Sequence, residues 1–346
     1  MSTSAGTSVE ENRLKNPPTK LLIVVQHPLE LWNVPAWFPE KLRLNFPQVE
    51  VNHRTSYEGI EQDLRDAEII FAFSLHLEQF TAARSLRWLH SPTAAVHQLL
   101  FPELVNSDVV LTNSSELHGP VVAEHVLALL LALAKKLPQA AHLQQKHLFS
   151  PEMIWKQGVH PRELAGATLG LIGLGSIGRR VAKMADALGM RVIAVREHVE
   201  KGSPAGVDAV YATTALDELL GLSDFVVLAV PVTAGTDGLF TAERFAAMKP
   251  GAYFINVGRG EQVEEAALIN ALRSGHLAGA ALDVFQQEPL PPDSPLWDLE
   301  NLLITPHTAS QTEQLWPRHY QVFSENLRRY LAHEPLLFVV DKKNGY

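Results

Sequence analysis

The chain contains no cysteine. Disulfides, thiolate nucleophiles and zinc–sulfur centres are therefore excluded before any fold is considered. Positive charge is also in deficit: 29 Lys and Arg stand against 38 Asp and Glu, for a net charge of −9. A nucleic-acid binder carries a basic footprint, so no nucleic-acid partner is expected. No apolar run is long enough for a bilayer. The most hydrophobic segment, VVAEHVLALLLALA at 121–134, is short and carries Glu124 and His125; a helix buried on several sides is expected, and no membrane partner. Residues 1–18 are polar and lack the apolar centre of a signal peptide, so a disordered tail and a cytoplasmic location are expected. H-E-x-x-H and G-x-S-x-G are absent, and no histidine pair has metal-ligand spacing, so no metal is expected.

What is present is an alternation of short apolar runs with helix-like segments, the pattern of a parallel α/β protein. With 346 residues, two domains are expected. The first set of strands is 20–26, 49–54, 68–73, 86–91 and 109–113. Pro120 suits the first turn of the long apolar helix, and KKLP, with Pro138 as a stop, is expected to end it. An irregular stretch is expected over 139–167. The second strand set is 168–175, 191–196, 208–213, 224–230, 252–257, 279–285 and 302–307, enough for a doubly wound sheet of its own. Its last member begins as a short buried strand, Leu302 to Thr305, cut off by Pro306 and His307.

GLGSIG places Gly173, Gly175 and Gly178 between the strand TLGLI and the helical run IGRRVAKMADAL. This is the context a dinucleotide fingerprint requires. Gly173 would permit the tight turn, Gly175 the close approach of a pyrophosphate, and Gly178 close helix–strand packing. The next strand ends at Arg196, followed by Glu197, where NAD sites usually carry an acidic residue on the ribose. A guanidinium there suits a 2′-phosphate, which favours NADP over NAD. The alternative leaves Arg196 in solvent or stacked on adenine, with Glu197 on the ribose.

Three further residues fall at or just beyond strand ends: Arg259 in NVGRG, Glu288 in LDVFQQEPLP and His307 in TPHTAS. Ligands of doubly wound sheets collect outside the carboxyl ends of the strands, so one sheet edge would receive all three.

With these motifs in hand, the chain resembles the D-isomer-specific 2-hydroxyacid dehydrogenases, which include glyoxylate/hydroxypyruvate reductases. The resemblance runs from about residue 86 to 335 and rests on LTNSSELHGPVVAEHVLALLLALA, ELAGATLGLIGLGSIGRRVA, INVGRG, ALDVFQQEPLP and ITPHTAS in order. It implies two Rossmann/flavodoxin-like domains with parallel sheets. A dinucleotide-binding domain, 119–308, is inserted in a discontinuous substrate domain, 19–118 and 309–346, with a cleft between them. It implies a reductase of a small 2-keto acid, of glyoxylate or hydroxypyruvate type, using NADP or NAD. Arg259 would hold the substrate carboxylate, His307 would be the acid/base and Glu288 its orienting partner. Asp283 would hold the nicotinamide amide. Cofactor contacts would also come from Ser176, Ile177, Val230, Pro231, Thr236, Val257 and Gly258, with Arg259 and His307 adjoining. The substrate loop would be Thr93, Ala94 and Ala95, with Arg259 and His307. Here the chain departs from the family pattern, since Ala95 takes a usual glycine position and His97 a usual acidic one. The resemblance also implies a homodimer through the 121–134 helix. A dinucleotide-sensing, corepressor-like binding protein is the rival reading.

The chemistry gives its own reasons for these residue types. A hydride reaching a keto carbon drives negative charge onto the oxygen, and an imidazolium can neutralise it by proton transfer. A neighbouring carboxylate favours the charged imidazole. The planar guanidinium fork matches a carboxylate. Arg196→Asp is expected to move cofactor preference from NADPH toward NADH by about tenfold or more, the loss of a charge-assisted hydrogen bond. Steady-state kcat/KM with the two dinucleotides measures it, and an unchanged ratio refutes the role given to Arg196.

Overall fold

The structure is a computed structural model that describes residues 18–94, 96–156, 160–343 and 345. The expected tail over 1–18 lies, apart from residue 18, outside the described residues, as does Ala95. The chain divides into two compact units: one runs to Leu117 and resumes at Glu313, the other is His118–Thr312.

The first unit is built on five parallel strands: β1 (Thr19–Val24), β2 (Val49–Arg54), β3 (Ile69–Ala72), β4 (Trp88–His90) and β5 (Val110–Thr112). Their order is β2-β1-β3-β4-β5. β1, β3 and β4 are buried almost throughout because helices cover both faces, which is why they are nearly continuous apolar runs in sequence. Alternate residues divide between two cores. Leu22, Val24, Ile70 and Leu89 face one side; Leu21, Ile23, Phe71 and Trp88 face the other. The second core is closed by the helix Leu315–Leu331, which buries Trp316, Tyr320, Phe323 and Leu327 along one stripe. Trp88 stacks on Phe323 with ring centroids 5.1 Å apart. Each such buried side chain contributes on the order of 1.5–3 kcal/mol.

The short C-terminal segment covers an edge. Phe338 O accepts from Asn113 N–H and Val340 N–H donates to Leu111 O, so the segment runs antiparallel to β5. Lys342 Nζ donates to the carbonyls of Leu104, Ser107 and Val109 at 3.0, 2.7 and 3.0 Å. Pairing an edge in this way removes a row of open backbone groups.

The second unit holds seven parallel strands: β6 (Thr168–Ile172), β7 (Arg191–Val195), β8 (Ala209–Tyr211), β9 (Phe225–Leu228), β10 (Ala252–Asn256), β11 (Leu277–Leu282) and β12 (Leu302–Ile304). The order is β12-β11-β10-β9-β6-β7-β8. The strand order therefore turns back between β6 and β9, the topological switch point of a doubly wound sheet. All seven expected strands form. The expectation of a buried last strand is corrected: β12 is half-buried because it is the sheet's edge.

The region after the long helix also differs from expectation. Gly119–Ala134 is helical as anticipated, but Leu137–Gln145 and Pro151–Lys156 form two further helices within the stretch expected to be irregular. Pro138 does not stop a helix; it sits in the first turn of the next one, where its missing N–H costs nothing. Lys136, at φ +57°, makes the turn between them.

Gly178→Ala probes the packing of this unit. A Cβ there would lie 2.1 Å from the Gly173 carbonyl oxygen, inside contact distance to backbone. The expected outcome is a loss of about 1–3 kcal/mol, the usual cost of overpacking, read as a lower midpoint in thermal unfolding.

Candidate active site

The glycine loop between β6 and the helix Ser176–Ala187 has three distinct local geometries. Gly173 sits at φ +102°, in the region that favours glycine, and a Cβ there would lie 2.6 Å from Val230 Cγ1. The loops after β6 and β9 thus touch at the switch point. Gly178 presses against the Gly173 carbonyl. Gly175, the N-cap, has open space where its side chain would be. The first N–H groups of a helix have no intrahelical partner, and together with its dipole they suit a phosphate. Ser176 and Ile177 form the first turn, and Arg180 Nη1 donates to Ser176 O at 2.7 Å. These residues fit a dinucleotide.

Arg196 follows β7, its N–H donating to Tyr211 O. The residue is half-buried, and its guanidinium has no hydrogen-bond partner among the described residues. Glu197 is exposed. After β9, Thr236 Oγ1 donates to Pro231 O at 2.7 Å and accepts from Thr233 N–H, which folds the 231–236 loop on itself.

Arg259 lies just past β10, after Val257 and Gly258. Its N–H donates to Gln262 Oε1, and Gln262 Nε2 donates to the carbonyls of Val230 and Pro231. Gln262 is fully buried, so this bridge ties the Arg259 loop to the loop after β9. Gly258 N–H donates to Asn256 Oδ1, and Arg259 Nη1 donates to Gly258 O at 2.7 Å. Gly260 lets this loop meet the one after β11: a Cβ would fall 1.9 Å from the Phe285 carbonyl carbon.

That second loop carries Glu288. Its Oε1 accepts from Phe285 N–H at 3.0 Å and its Oε2 from His307 Nδ1 at 2.6 Å. The Nδ1 proton of His307 is thus committed to the carboxylate, leaving Nε2 to exchange a proton elsewhere. His307 remains 44% exposed at the side chain. Burial pushes the Glu288 carboxyl up, but the hydrogen bonds from His307 and Phe285 N–H, with the His307 and Arg259 charges, outweigh it and hold the group below its usual value. The backbone of His307 is at φ +52°. A left-handed non-glycine residue costs on the order of 1 kcal/mol and needs surroundings that hold it.

Asp283 supplies that hold. It is only 2% exposed. Oδ1 accepts from Thr305 Oγ1 at 2.6 Å and Thr308 N–H at 2.9 Å; Oδ2 accepts from Ala309 N–H at 3.0 Å. Its backbone carbonyl accepts from His307 N–H at 2.9 Å. Both of its oxygens are engaged by the loop that bears His307, and a carboxylate with three such bonds keeps an acceptor position for the cofactor amide that the family resemblance assigns to it.

The expected substrate loop lies in the first unit, after β4. Thr93 Oγ1 bonds Ser91 Oγ at 2.8 Å, Thr93 O accepts from Ser114 N–H, and Ala94 O accepts from Asn113 Nδ2 at 2.9 Å. Ser114 Oγ also reaches His319 Nδ1 at 3.2 Å. Beneath it, burial pushes the His90 imidazole down to about 3, so it serves as a neutral hydrogen-bonding group to Thr112. His97 is exposed. Asn113, Ser114, Gln262 and Thr305 were not singled out from sequence, though polar residues directly after a buried strand are a signal that could have found the first two.

Residues 127–309 match the family model described as D-isomer specific 2-hydroxyacid dehydrogenase, NAD binding domain. The chain is 36% identical over 259 residues to the glyoxylate reductase of Korarchaeum cryptofilum, covering 72% of this chain and 74% of that one. It is 35% identical over 278 residues to the D-3-phosphoglycerate dehydrogenase of Archaeoglobus fulgidus, covering 79% of this chain but 51% of that one. Among solved structures it is similar to a D-isomer specific 2-hydroxyacid dehydrogenase from Xanthobacter autotrophicus Py2 in complex with NADPH and MES. The TM-score is 0.78 at 32% identity, covering 94% of this chain and 99% of that one. It is also similar to the NADPH-dependent glyoxylate/hydroxypyruvate reductase from Sinorhizobium meliloti in complex with NADP and sulfate, with TM-score 0.79 at 28% identity, covering 95% and 100%.

The Glu288 carboxyl makes the site's acid response predictable. A carboxyl held below its unfolded value contributes stability above that value and loses it as pH falls through the folded one. Glu288→Gln is expected to lower the unfolding midpoint at neutral pH, with the difference from wild type closing as pH drops below the ordinary glutamate range. Thermal scans at neutral and acidic pH measure it; a gap that widens in acid refutes the pairing.

Proposed function

The chain belongs to the D-isomer specific 2-hydroxyacid dehydrogenase family, and from that premise we propose that it reduces a small 2-keto acid of glyoxylate or hydroxypyruvate type. It is an NAD(P)-dependent oxidoreductase of 2-hydroxy acids. The observation that carries the finer reading is the His307–Glu288 pair at 2.6 Å, with Nε2 left over.

When bound, the dinucleotide supplies the hydride. His307 gives its Nε2 proton to the ketone oxygen as charge grows there, and Glu288 stabilises the imidazolium through Nδ1–H. Arg259, anchored by one bond to Gly258 O, holds the substrate carboxylate with its remaining donors. Thr93 and Ala94 contribute the substrate loop; Ala95 belongs to the same proposal from sequence alone. Gly173, Gly175, Ser176, Ile177 and Gly178 bind the pyrophosphate, with Val230, Pro231, Thr236, Val257 and Gly258 lining the rest of the dinucleotide site. NADPH is the preferred cofactor because the Arg196 guanidinium is uncommitted and suits a 2′-phosphate.

The working form is a cytoplasmic homodimer. In support, the helix Gly119–Ala134 buries one stripe and leaves Val121, Leu127, Leu131 and Ala132 only half-buried, while Leu137, Phe149 and Trp155, which follow it in the chain, are 52%, 99% and 58% exposed. Two-fold association is the commonest way to cover such a surface. Among the described residues, no helix is long and apolar enough to cross a membrane.

A panel of 2-keto acids with NADH and NADPH tests the activity. His307→Gln is expected to lower kcat by about 10²–10⁴-fold with dinucleotide binding retained, and Arg259→Gln chiefly to raise KM. Dinucleotide binding without turnover of any acid would refute the reductase and favour a sensor.

A further inference from the structure

The long helix carries one polar group that the proposed chemistry does not use. His125 lies midway along Gly119–Ala134, its side chain 20% exposed, with Nε2 3.1 Å from Thr305 Oγ1 and 3.7 Å from Asp283 Oδ1. The direction of these bonds follows from proton counting. A threonine hydroxyl has one proton, and Thr305 gives it to Asp283 Oδ1 at 2.6 Å. Its bond with His125 must therefore be accepted, so His125 carries a proton on Nε2. The chain of donors runs from His125 through Thr305 to Asp283.

Its far end is the clamp already described. Asp283 receives Thr305, Thr308 and Ala309 on its carboxylate and His307 N–H on its carbonyl. Every residue from 305 to 309 except Pro306 is thus bonded to one buried aspartate, and His307 is held left-handed at their centre. Buried hydrogen-bond chains polarise one another, so a donor at one end strengthens the acceptor contacts at the other. Burial lowers the His125 pKa, with Asp283 opposing, so a neutral imidazole protonated on Nε2 serves as that donor. The same helix begins against the glycine-loop helix, where a Cβ on Gly119 would lie 2.4 Å from Ser176 Oγ.

We propose that His125 and Thr305 are positioning residues for His307: the hydrogen-bond chain that runs from His125 to Thr305 and from Thr305 to Asp283 sets the backbone that aims the His307 imidazole. The inference rests on the reading of His307 as the acid/base, and neither residue touches the reacting atoms.

The test compares Thr305→Val, Thr305→Ser, His125→Gln and His125→Asn by steady-state kinetics with NADPH and glyoxylate. Hydrogen exchange of the peptide spanning 305–309 is measured alongside by mass spectrometry. Thr305→Val is expected to lower kcat by about tenfold or more, leaving KM and NADPH affinity in place, and to speed exchange of the peptide. Thr305→Ser restores both. His125→Gln retains most of kcat, since its amide nitrogen reaches the place of Nε2, whereas His125→Asn does not. Unchanged kcat and exchange in Thr305→Val and His125→Asn overturn the proposal, as does a joint loss of kcat, KM, NADPH affinity and melting temperature that Ser and Gln fail to rescue. Should Thr305→Val not fold, the Gln and Asn pair at 125 decides. If wild type turns over no 2-keto acid, the reductase reading fails by itself, and the exchange measurements still decide the clamp.

Discussion

A carboxylate taken out of water must be satisfied by hydrogen bonds or it destabilises the fold by several kcal/mol. Asp283 is such a group, and its demand organises the site. It is almost fully buried at the end of β11, and the donors that satisfy it all come from the loop after β12. Because those donors are successive backbone and side-chain groups, the loop has little freedom left, and the unfavourable left-handed conformation of His307 is carried by the sum of its neighbours' bonds. Glu288 acts on the imidazole itself and Asp283 on the backbone beneath it. The two carboxylates have separate tasks that their burial distinguishes: one is half-exposed and pairs with a ring nitrogen, the other is enclosed and pairs with a chain.

The same economy appears around Arg259. Glycine at 260 lets two loops meet backbone to backbone, and the buried amide of Gln262 ties the Arg259 loop to the carbonyls after β9. The loops after β6, β9, β10, β11 and β12 are in this way linked in series along one edge of a single sheet. The glycine loop is joined to Val230, Val230 to Gln262, Gln262 to Arg259, the Arg259 loop to Phe285, and the Phe285 loop through Glu288 to His307. Parallel strands make this arrangement possible, since every strand delivers its following loop to the same edge. In the first unit the loop after β4 is held likewise by Asn113 and Ser114 after β5, over a histidine kept neutral by burial.

Family membership sets the reaction class, while the details above are particular to these side chains. The relatives include reductases of glyoxylate and dehydrogenases of phosphoglycerate, and the chain spans only half the length of the Archaeoglobus phosphoglycerate dehydrogenase. Under the proposed function, choice of acid is assigned to the loop at Thr93 and Ala94 and to what replaces the usual glycine and acidic groups at 95 and 97.

By itself the sequence determined the strand order along the chain, the α/β class and the placement of Arg259, Glu288 and His307 beyond strand ends. These follow from local rules: apolar runs make interior strands, glycines mark a tight turn, and charged or titratable groups sit after strand ends. It misjudged what depends on neighbours in space. Leu302–Ile304 is half-buried because no strand lies beyond it, and Pro138 starts a helix because Lys136 makes the turn before it. Only the tertiary structure decided that Asp283 turns its carboxylate onto the His307 loop and that His125, 180 positions before Thr305 in the chain, joins it. Hydrogen-bond partners across such a separation leave no periodicity or spacing to read, since packing alone brings them together.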